Sequence, residues 1–223
     1  MSRKSLRGVA SLEFALLMIV AVPLLLGTGA TGINMIRTLQ TVQLARDAGR
    51  MYARGMDFSQ PGNKTILGNI GSDLGLSTTA GSGSAVVILS ALTYVDVNAC
   101  AAAGAVDGSG NPLGCTNYQK WVFTQRLVIG KSSVRSSAYG SPLVSGPTGV
   151  TVDPTTGKIS VQDYVTKAGA VATFSSINPY AVINGNVQGL PSGQVLYVAE
   201  AAATGFSMPP FVTNAATYSY GLF

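Results

Sequence analysis

The 223-residue chain contains no histidine. This absence excludes the serine–histidine–aspartate and cysteine–histidine nucleophile systems, and zinc sites that use histidine ligands. Charged residues are also scarce: they make up 10% of the chain, compared with about 25% in an ordinary soluble domain. The sequence has neither a P-loop nor the glycine pattern of a dinucleotide site. We therefore expect no cofactor, no metal site and no enzymatic activity.

Cysteine is nearly absent as well, since only Cys100 and Cys115 are present and they do not form a CxxC pair. They flank a single loop, and a disulfide that closes about 15 residues contributes roughly 3 kcal/mol in the chain-entropy model. A disulfide would indicate an oxidising compartment. The alternative is two separate buried thiols.

The basic net charge is concentrated at the N-terminus. The chain carries a net charge of +5, to which Arg3, Lys4 and Arg7 contribute three charges. The remaining residues include eleven basic and nine acidic side chains. Nucleic-acid binding needs a basic stripe on a folded surface, so the composition predicts no nucleic-acid partner.

An apolar segment follows the short basic leader of residues 1–8. Residues 9–33 contain one charge, Glu13. A helix of 25 residues spans roughly 37 Å, which is enough to cross a bilayer core of about 30 Å. Basic residues ahead of the segment keep the N-terminus in the cytoplasm. We therefore expect residues 9–33 to span the membrane and most of the chain to lie outside it.

The helical pattern continues beyond this segment. Apolar residues recur every three or four positions over residues 34–56, and Gly55 is a natural stop. We predict one helix from Val9 to Arg54, roughly 70 Å long, which Pro23 can kink. The predicted buried face consists of Ile36, Leu39, Val42, Ala45, Ala48 and Tyr52.

Two simpler interpretations of the N-terminus stay open. A signal anchor has the same hydrophobic length and basic flank. A cleavable signal peptide could end near residues 27–30, where small residues resemble a signal-peptidase site. Neither interpretation accounts for an acid inside the apolar run, where an ionisable residue is expensive and usually functional.

Gly8 and Val9, followed by Glu13–Phe14 and an apolar run, resemble the processing site of type IV prepilins. The segment LQTVQLARDAGRMYARG and, more weakly, GQVLYVAEAAATGFSMPPF resemble TadE-like minor pilins of the tight-adherence (Tad/Flp, type IVc) pilus family. The resemblance implies cleavage between Gly8 and Val9 by a prepilin peptidase. It also implies assembly through Glu13 and Phe14, with Glu13 pairing with the new N-terminus of a neighbouring subunit.

The resemblance further implies a set of partners and a location. The partners are a prepilin peptidase, major and minor pilins, an inner-membrane platform with its motor ATPase, an outer-membrane secretin and the membrane itself. The protein would first lie in the inner membrane with its C-terminal domain in the periplasm. It would then join a filament at the cell surface and support pilus biogenesis and adhesion.

Two other functions remain open. One is a single-pass, membrane-anchored extracytoplasmic binding module that does not enter a filament. The other is a secreted enzyme with a carboxylate site, for which Asp96 and Glu200 would have to meet across a sheet. Glu200 is more typical of a satisfied or edge carboxylate.

Residues 57–223 predict a β-rich extracytoplasmic domain. We expect an α+β fold in which the long N-terminal helix packs on a small antiparallel sheet. Asp107, Ser109 and Asn111 resemble the start of a calcium loop but lack its glycine and terminal glutamate. The predicted strands are 84–97, 118–130 and 193–206, with a hairpin at 148–165 and short helices at 64–74 and 162–173. Alternation along the second of these strands places Trp121, Phe123, Gln125 and Leu127 on one face.

Overall fold

The computed structural model describes residues 4–174, 180–183, 186–189, 193–209, 212–213 and 216–223. A long N-terminal helix is followed by a four-stranded antiparallel sheet, so the fold is α+β as expected. The helices are α1 (Lys4–Ala53), α2 (Pro61–Ile70), α3 (Val97–Ala102) and α4 (Val161–Thr166). The strands are β1 (Ala85–Tyr94), β2 (Trp121–Gly130), β3 (Tyr180–Ile183), β4 (Asn186–Gly189), β5 (Val195–Ala203) and β6 (Thr217–Leu222).

The helix α1 contains 50 residues and is about 75 Å long. It begins at Lys4, five residues before the predicted start, and so includes Gly8 and Val9; Pro23 lies inside it without ending it. At the other end, Gly55 has a φ of +86°. The amide of Met56 donates to the Met51 carbonyl at 3.0 Å, which is the closing bond of a Schellman motif.

The two halves of α1 have different surroundings. Residues 11–29 are mostly exposed, whereas the second half packs on β5, β6 and β1. Among the residues predicted to face the domain, Ile36 and Leu39 are instead 58% and 57% exposed. The reason is angular, because Leu39 is rotated about 140° from Leu44 around the helix. The buried stripe consists of Thr41, Leu44, Ala45, Ala48 and Tyr52.

The main sheet has the strand order β2-β1-β5-β6, and all neighbours are antiparallel. Its face toward α1 carries Val87, Leu89 and Ala91 from β1. On β5 this face carries Ala199 and Ala201, which are fully or almost fully buried. Their short side chains let the helix lie close to the sheet.

A β-bulge in β2 contradicts the predicted face of that strand. The consecutive residues Ala91 and Leu92 of β1 pair with Gln125 and Phe123, so Thr124 is the extra residue. A bulge of one residue moves the following side chains to the other face. Of the four residues predicted on one face, Gln125 and Leu127 lie toward α1, whereas Trp121 and Phe123 pack into the core on the opposite side.

The second core lies beneath the long connections of the domain. It includes Leu92, Trp121 and Phe123 from the sheet and Val165 from α4. Cys100 is buried in this core, and its sulfur is bonded to that of Cys115, with the two Cα atoms 5.7 Å apart. The predicted pairing of the two cysteines is therefore seen in the structure.

The remaining segments follow the sequence expectations in part. The predicted helix 64–74 is present as α2 and a 3₁₀ turn, and the predicted strand 193–206 is present as β5. The predicted hairpin 148–165 is reduced to a single bridge between Val152 and Ile159, because α4 already begins at Val161. The predicted helix 162–173 ends at Thr166 and is followed by a 3₁₀ turn. Strands β3, β4 and β6 were not predicted.

Candidate assembly helix and polar sites

Residues 11–29 in the first half of α1 expose apolar side chains around the whole circumference of the helix. It is long and apolar enough to cross a membrane by length and composition. A helix that is apolar all round belongs in a protein core or a bilayer, and the described domain covers little of this half. The exposed large residues include Leu12, Phe14 at 60%, Leu16, Leu17, Ile19, Val20, Leu24 and Leu25.

Glu13 lies within this exposed half of the helix. It is the only charged residue between Arg7 and Arg37, and the described residues offer it no ion pair. The nearest other carboxylate or cation along the helix is therefore at least one turn away. Its carboxylate is left without a charged partner from the described part of the same chain.

Three glycines in the exposed half are not required by the packing of the chain. A Cβ atom added at Gly27, Gly29 or Gly32 would meet nothing within 4 Å. The Thr31 hydroxyl donates to the Gly27 carbonyl at 2.8 Å, which keeps its polarity within the helix. Small residues of this kind favour close approach of a second helix in a membrane.

A polar junction joins the middle of α1 to the segment after β5. The Asn34 side chain donates to the Phe206 carbonyl at 3.1 Å and accepts from the Phe206 amide at 2.7 Å. Arg37 Nη1 donates to the Thr204 carbonyl at 2.8 Å. This two-way bond between Asn34 and the backbone fixes where the domain meets the helix, and no sequence pattern predicted it.

The carboxylate of Glu200 is the most buried charged group of the described domain, at 1% exposure. It lies in β5, an inner strand, and therefore is not at an edge. It accepts hydrogen bonds from the Tyr218 hydroxyl at 2.7 Å, the Ala138 amide at 2.8 Å and the Ser137 hydroxyl. The group is thus a satisfied carboxylate that ties the loop after β2 to the sheet.

Electrostatic effects around Glu200 agree with this arrangement. Burial, and then the hydrogen bond to Glu200, raise the pKa of the Tyr218 hydroxyl. Burial lowers the pKa of Arg126, while the negative charge of Glu200 acts in the opposite direction. The Arg135 guanidinium lies 3.9 Å from the centre of the Tyr218 ring. Both cations lie near the buried acid without forming an ion pair with it among the described residues.

The carboxylate pair considered for an enzyme does not form. Ile88 is the β1 residue that pairs with Glu200, and Asp96 is eight residues further along the chain, or about 26 Å in an extended strand. Asp96 instead caps α3, where its carboxylate accepts from the Ala99 amide at 2.8 Å. The two acids therefore do not meet across the sheet, as the enzyme alternative would require.

The calcium-like sequence forms a closed turn. Asp107 Oδ1 accepts from the Ser109 amide at 2.9 Å and from the Asn111 amide at 2.8 Å. These hydrogen bonds, first that from Asn111 and then that from Ser109, lower the pKa of Asp107. Over the described ranges, no three histidine, cysteine or acidic side chains lie together as metal ligands.

A small cavity opens at the C-terminal end of α1. The Tyr52 hydroxyl donates to Gln125 Oε1 at 2.9 Å, and Gln125 Nε2 donates to the Thr156 carbonyl at 2.7 Å. The Tyr52 and Tyr197 rings meet edge to face at 4.9 Å. The cavity has a volume of about 200 Å³, below the roughly 300–1,000 Å³ of ordinary ligand sites.

No family model, curated protein or solved structure matches the chain. Its function is therefore inferred from its own residues and their arrangement.

Proposed function

We propose that the chain is a TadE-like minor pilin of a tight-adherence pilus. In this proposal the leader 1–8 is removed between Gly8 and Val9, and the subunit is assembled through its N-terminal helix. Residues 9–33 span the inner membrane before assembly, 34–56 continue the helix, and 57–223 form the periplasmic domain. The mature subunit supports pilus biogenesis and surface adhesion.

One observation carries the proposal, namely the division of α1 into an exposed apolar half and a half packed on the sheet. The second half is fixed to the domain by a buried stripe and by the Asn34–Phe206 junction. The first half extends from the domain with its apolar surface uncovered. This arrangement suits a subunit that is held by its helix in a bilayer and then among other helices.

Glu13 adds a chemical argument for assembly. An unpaired acid is costly inside a bilayer, so its presence needs a compensating role. Cleavage after Gly8 would create an ammonium group on Val9, which can pair with the Glu13 carboxylate of a neighbouring subunit. Removing one partner from such a buried pair typically costs about 3–5 kcal/mol.

The partners of the chain are then those of a tight-adherence pilus. A prepilin peptidase would remove the leader, and the platform, motor ATPase and secretin would assemble and export the filament. The other pilins would contact the exposed half of α1. No nucleic acid, cofactor or metal takes part.

A Glu13→Gln variant tests the assembly role. Removal of a charge from an apolar helix eases insertion, so we expect normal membrane insertion. Leader removal should persist, because the cut lies five residues upstream, but incorporation into filaments and adhesion should fall sharply. Ser11→Ala serves as a matched control, since it changes a nearby polar residue without touching the charge.

The three readouts are the amount in the membrane fraction, the length of the mature chain, and the filament number by microscopy. Unchanged filaments and adhesion with a normal level of the Gln variant would remove the assembly role of Glu13. A plain signal anchor would then explain the N-terminus better.

The second candidate is a membrane-anchored binding module outside any filament. The uncovered apolar half of α1 suits a permanent anchor as well, but the cavity bounded by Tyr52, Gln125 and Tyr197 is smaller than an ordinary ligand site. The two candidates differ in processing: an anchored module retains residues 1–8 and remains in the membrane fraction.

A further inference from the structure

Strand β5 runs antiparallel to the second half of α1, and the two elements lie side by side over nearly the same length. The Tyr197 ring contacts that of Tyr52, and the Thr204 carbonyl accepts from Arg37. The helix from Arg37 to Tyr52 covers about 22 Å, and the strand from Tyr197 to Thr204 covers about 23 Å. The chain leaving β5 is therefore directed toward the apolar half of α1.

The segment after β5 continues in that direction. Phe206 is level with Asn34, to which it is bound in both directions. Beyond it the chain turns back, since Met208 and Val212 exchange backbone hydrogen bonds at 2.9 and 3.0 Å. From Thr204 to Met208 the chain spans at most about 13 Å. That distance equals about nine helical residues, counted from Arg37 toward the N-terminus of α1.

The burial of α1 agrees with this reach. Ala30 lies one turn before Asn34, inside the predicted membrane segment, yet it is 2% exposed. Its neighbours Gly29 and Thr31 are exposed. The domain therefore covers one side of the helix for at least one turn past the polar junction.

The composition of this region differs from that of the rest of the domain. Residues 201–223 contain no charged side chain. Phe206, Met208 and Val212 are half-buried, and Pro209 is exposed. This turn is uncharged, carries apolar side chains and lies beside the last turns of the apolar part of the helix. Such a surface is suited to the boundary between lipid headgroups and acyl chains.

We propose that a membrane-contacting rim, formed by residues 204–209 and 212–213, seats the domain on the outer leaflet of the bilayer that α1 crosses. The inference rests on the membrane insertion in the proposed function. The Asn34 and Arg37 contacts join Phe206 and Thr204 of the rim to the helix, so the helix and the rim enter the interface together. The domain then has a fixed height above the bilayer before assembly.

The test uses the full chain in vesicles of phosphatidylethanolamine and phosphatidylglycerol. Single cysteines are introduced at Pro209 and Thr213 in the rim, at Leu25 in the apolar half and at Ser109 at the opposite end of the sheet. Each is labelled under non-reducing conditions with an environment-sensitive fluorophore, so the native disulfide stays closed. Quenching is then measured with doxyl lipids labelled near the headgroup and with aqueous iodide.

We expect the doxyl lipid to quench the labels at Leu25 and at both rim sites, while iodide alone quenches the label at Ser109. If Leu25 is quenched by lipid but the rim labels behave like Ser109, the rim proposal fails and membrane insertion stands. If the rim labels are shielded from both quenchers, another protein chain covers the rim and the proposal also fails. If Leu25 itself escapes the lipid quencher, membrane insertion fails and the rim proposal with it.

Discussion

Replacing Glu200 by alanine should destabilise the domain more than any other change to a single charged residue outside α1. Its carboxylate accepts from Tyr218, Ala138 and Ser137. Hydrogen bonds to charged groups contribute about 1.5–3 kcal/mol each. Three such bonds set an upper limit on the loss of stability. The actual loss is smaller, because Tyr218 is half-buried and its hydroxyl can turn toward water. We expect a loss of about 3–5 kcal/mol.

Glu200→Gln is the matched control for this prediction. The amide oxygen can keep the position of Oε1 and accept from both Tyr218 and Ala138. The amide nitrogen then faces Ser137. Here the nitrogen donates and the Ser137 hydroxyl oxygen accepts, which reverses the direction of the wild-type hydrogen bond. Only the charge is lost, so we expect this variant to lose about 1 kcal/mol.

The assay is thermal unfolding of the full chain in detergent micelles, followed by the fluorescence of Trp121. This residue is the only tryptophan and lies in the core. For a domain of this size about 1 kcal/mol shifts the midpoint by roughly 2–4 °C, so Glu200→Ala should lower it by about 10 °C. The structural role of this carboxylate would be refuted if Glu200→Ala unfolded at the wild-type midpoint, or if the alanine and glutamine variants lowered the midpoint equally.

Three further variants test other parts of the domain in the same assay. Replacement of both Cys100 and Cys115 by serine should lower the free energy of unfolding by roughly 3 kcal/mol. Wild-type protein recovered from the envelope should resist thiol labelling under denaturing, non-reducing conditions. Full labelling of the wild type would contradict the disulfide. Gly157→Ala should lower the unfolding midpoint, because Gly157 has a φ of +67° and an added Cβ would overlap a backbone carbonyl oxygen of β2. Gly108 has open space around it, so Gly108→Ala should leave the midpoint unchanged. Equal midpoints for the two variants would contradict the predicted strain at Gly157. Burial disfavours the charge of Asp163, but its hydrogen bonds and its ion pair with Lys167 outweigh this effect and hold the pKa of Asp163 below the ordinary value of 3.8. The charged carboxylate therefore stabilises the fold above that pH, and this stabilisation is lost as the pH falls through the folded-state pKa. Asp163→Asn should weaken the acid dependence of unfolding, and an unchanged pH profile would refute this.

The features predicted correctly from the sequence depend on local patterns. The long helix α1 follows from an apolar run that continues directly into a 3.6-residue period. Even Pro23 does not end it. Strands β1, β2 and β5 follow from runs of β-branched and apolar residues. The pairing of Cys100 with Cys115 follows from their position on either side of one loop.

The features that were missed depend on contacts distant in sequence or on single-residue irregularities. Glu200 is surrounded by groups from residues 137–138 and 218, which no local pattern connects to it. The bulge at Thr124 reverses the faces of β2 through one extra residue, which alternation cannot reveal. The stripe of α1 that faces the sheet was displaced because apolar residues occur on more than one side of this helix. Ile36 and Leu39 fit the helical period and yet remain exposed.

The Asn34–Phe206 junction shows why the candidate site could be predicted only in part. Glu13 and the basic residues ahead of the apolar run can be recognised in the sequence, because their charges stand next to or inside a long uncharged segment. Asn34 looks like an ordinary polar residue at the end of that run, although 172 positions separate it from its partner. Only the packing of β5 against α1 brings the two together.

The most direct test of the central claim is the mass of the chain recovered from filaments sheared from the cell surface. The proposal predicts that the chain is present there and that its N-terminal peptide begins at Val9. A chain that is missing from the filaments, or that retains residues 1–8 or begins near Ala30, would contradict its role as a processed pilin subunit.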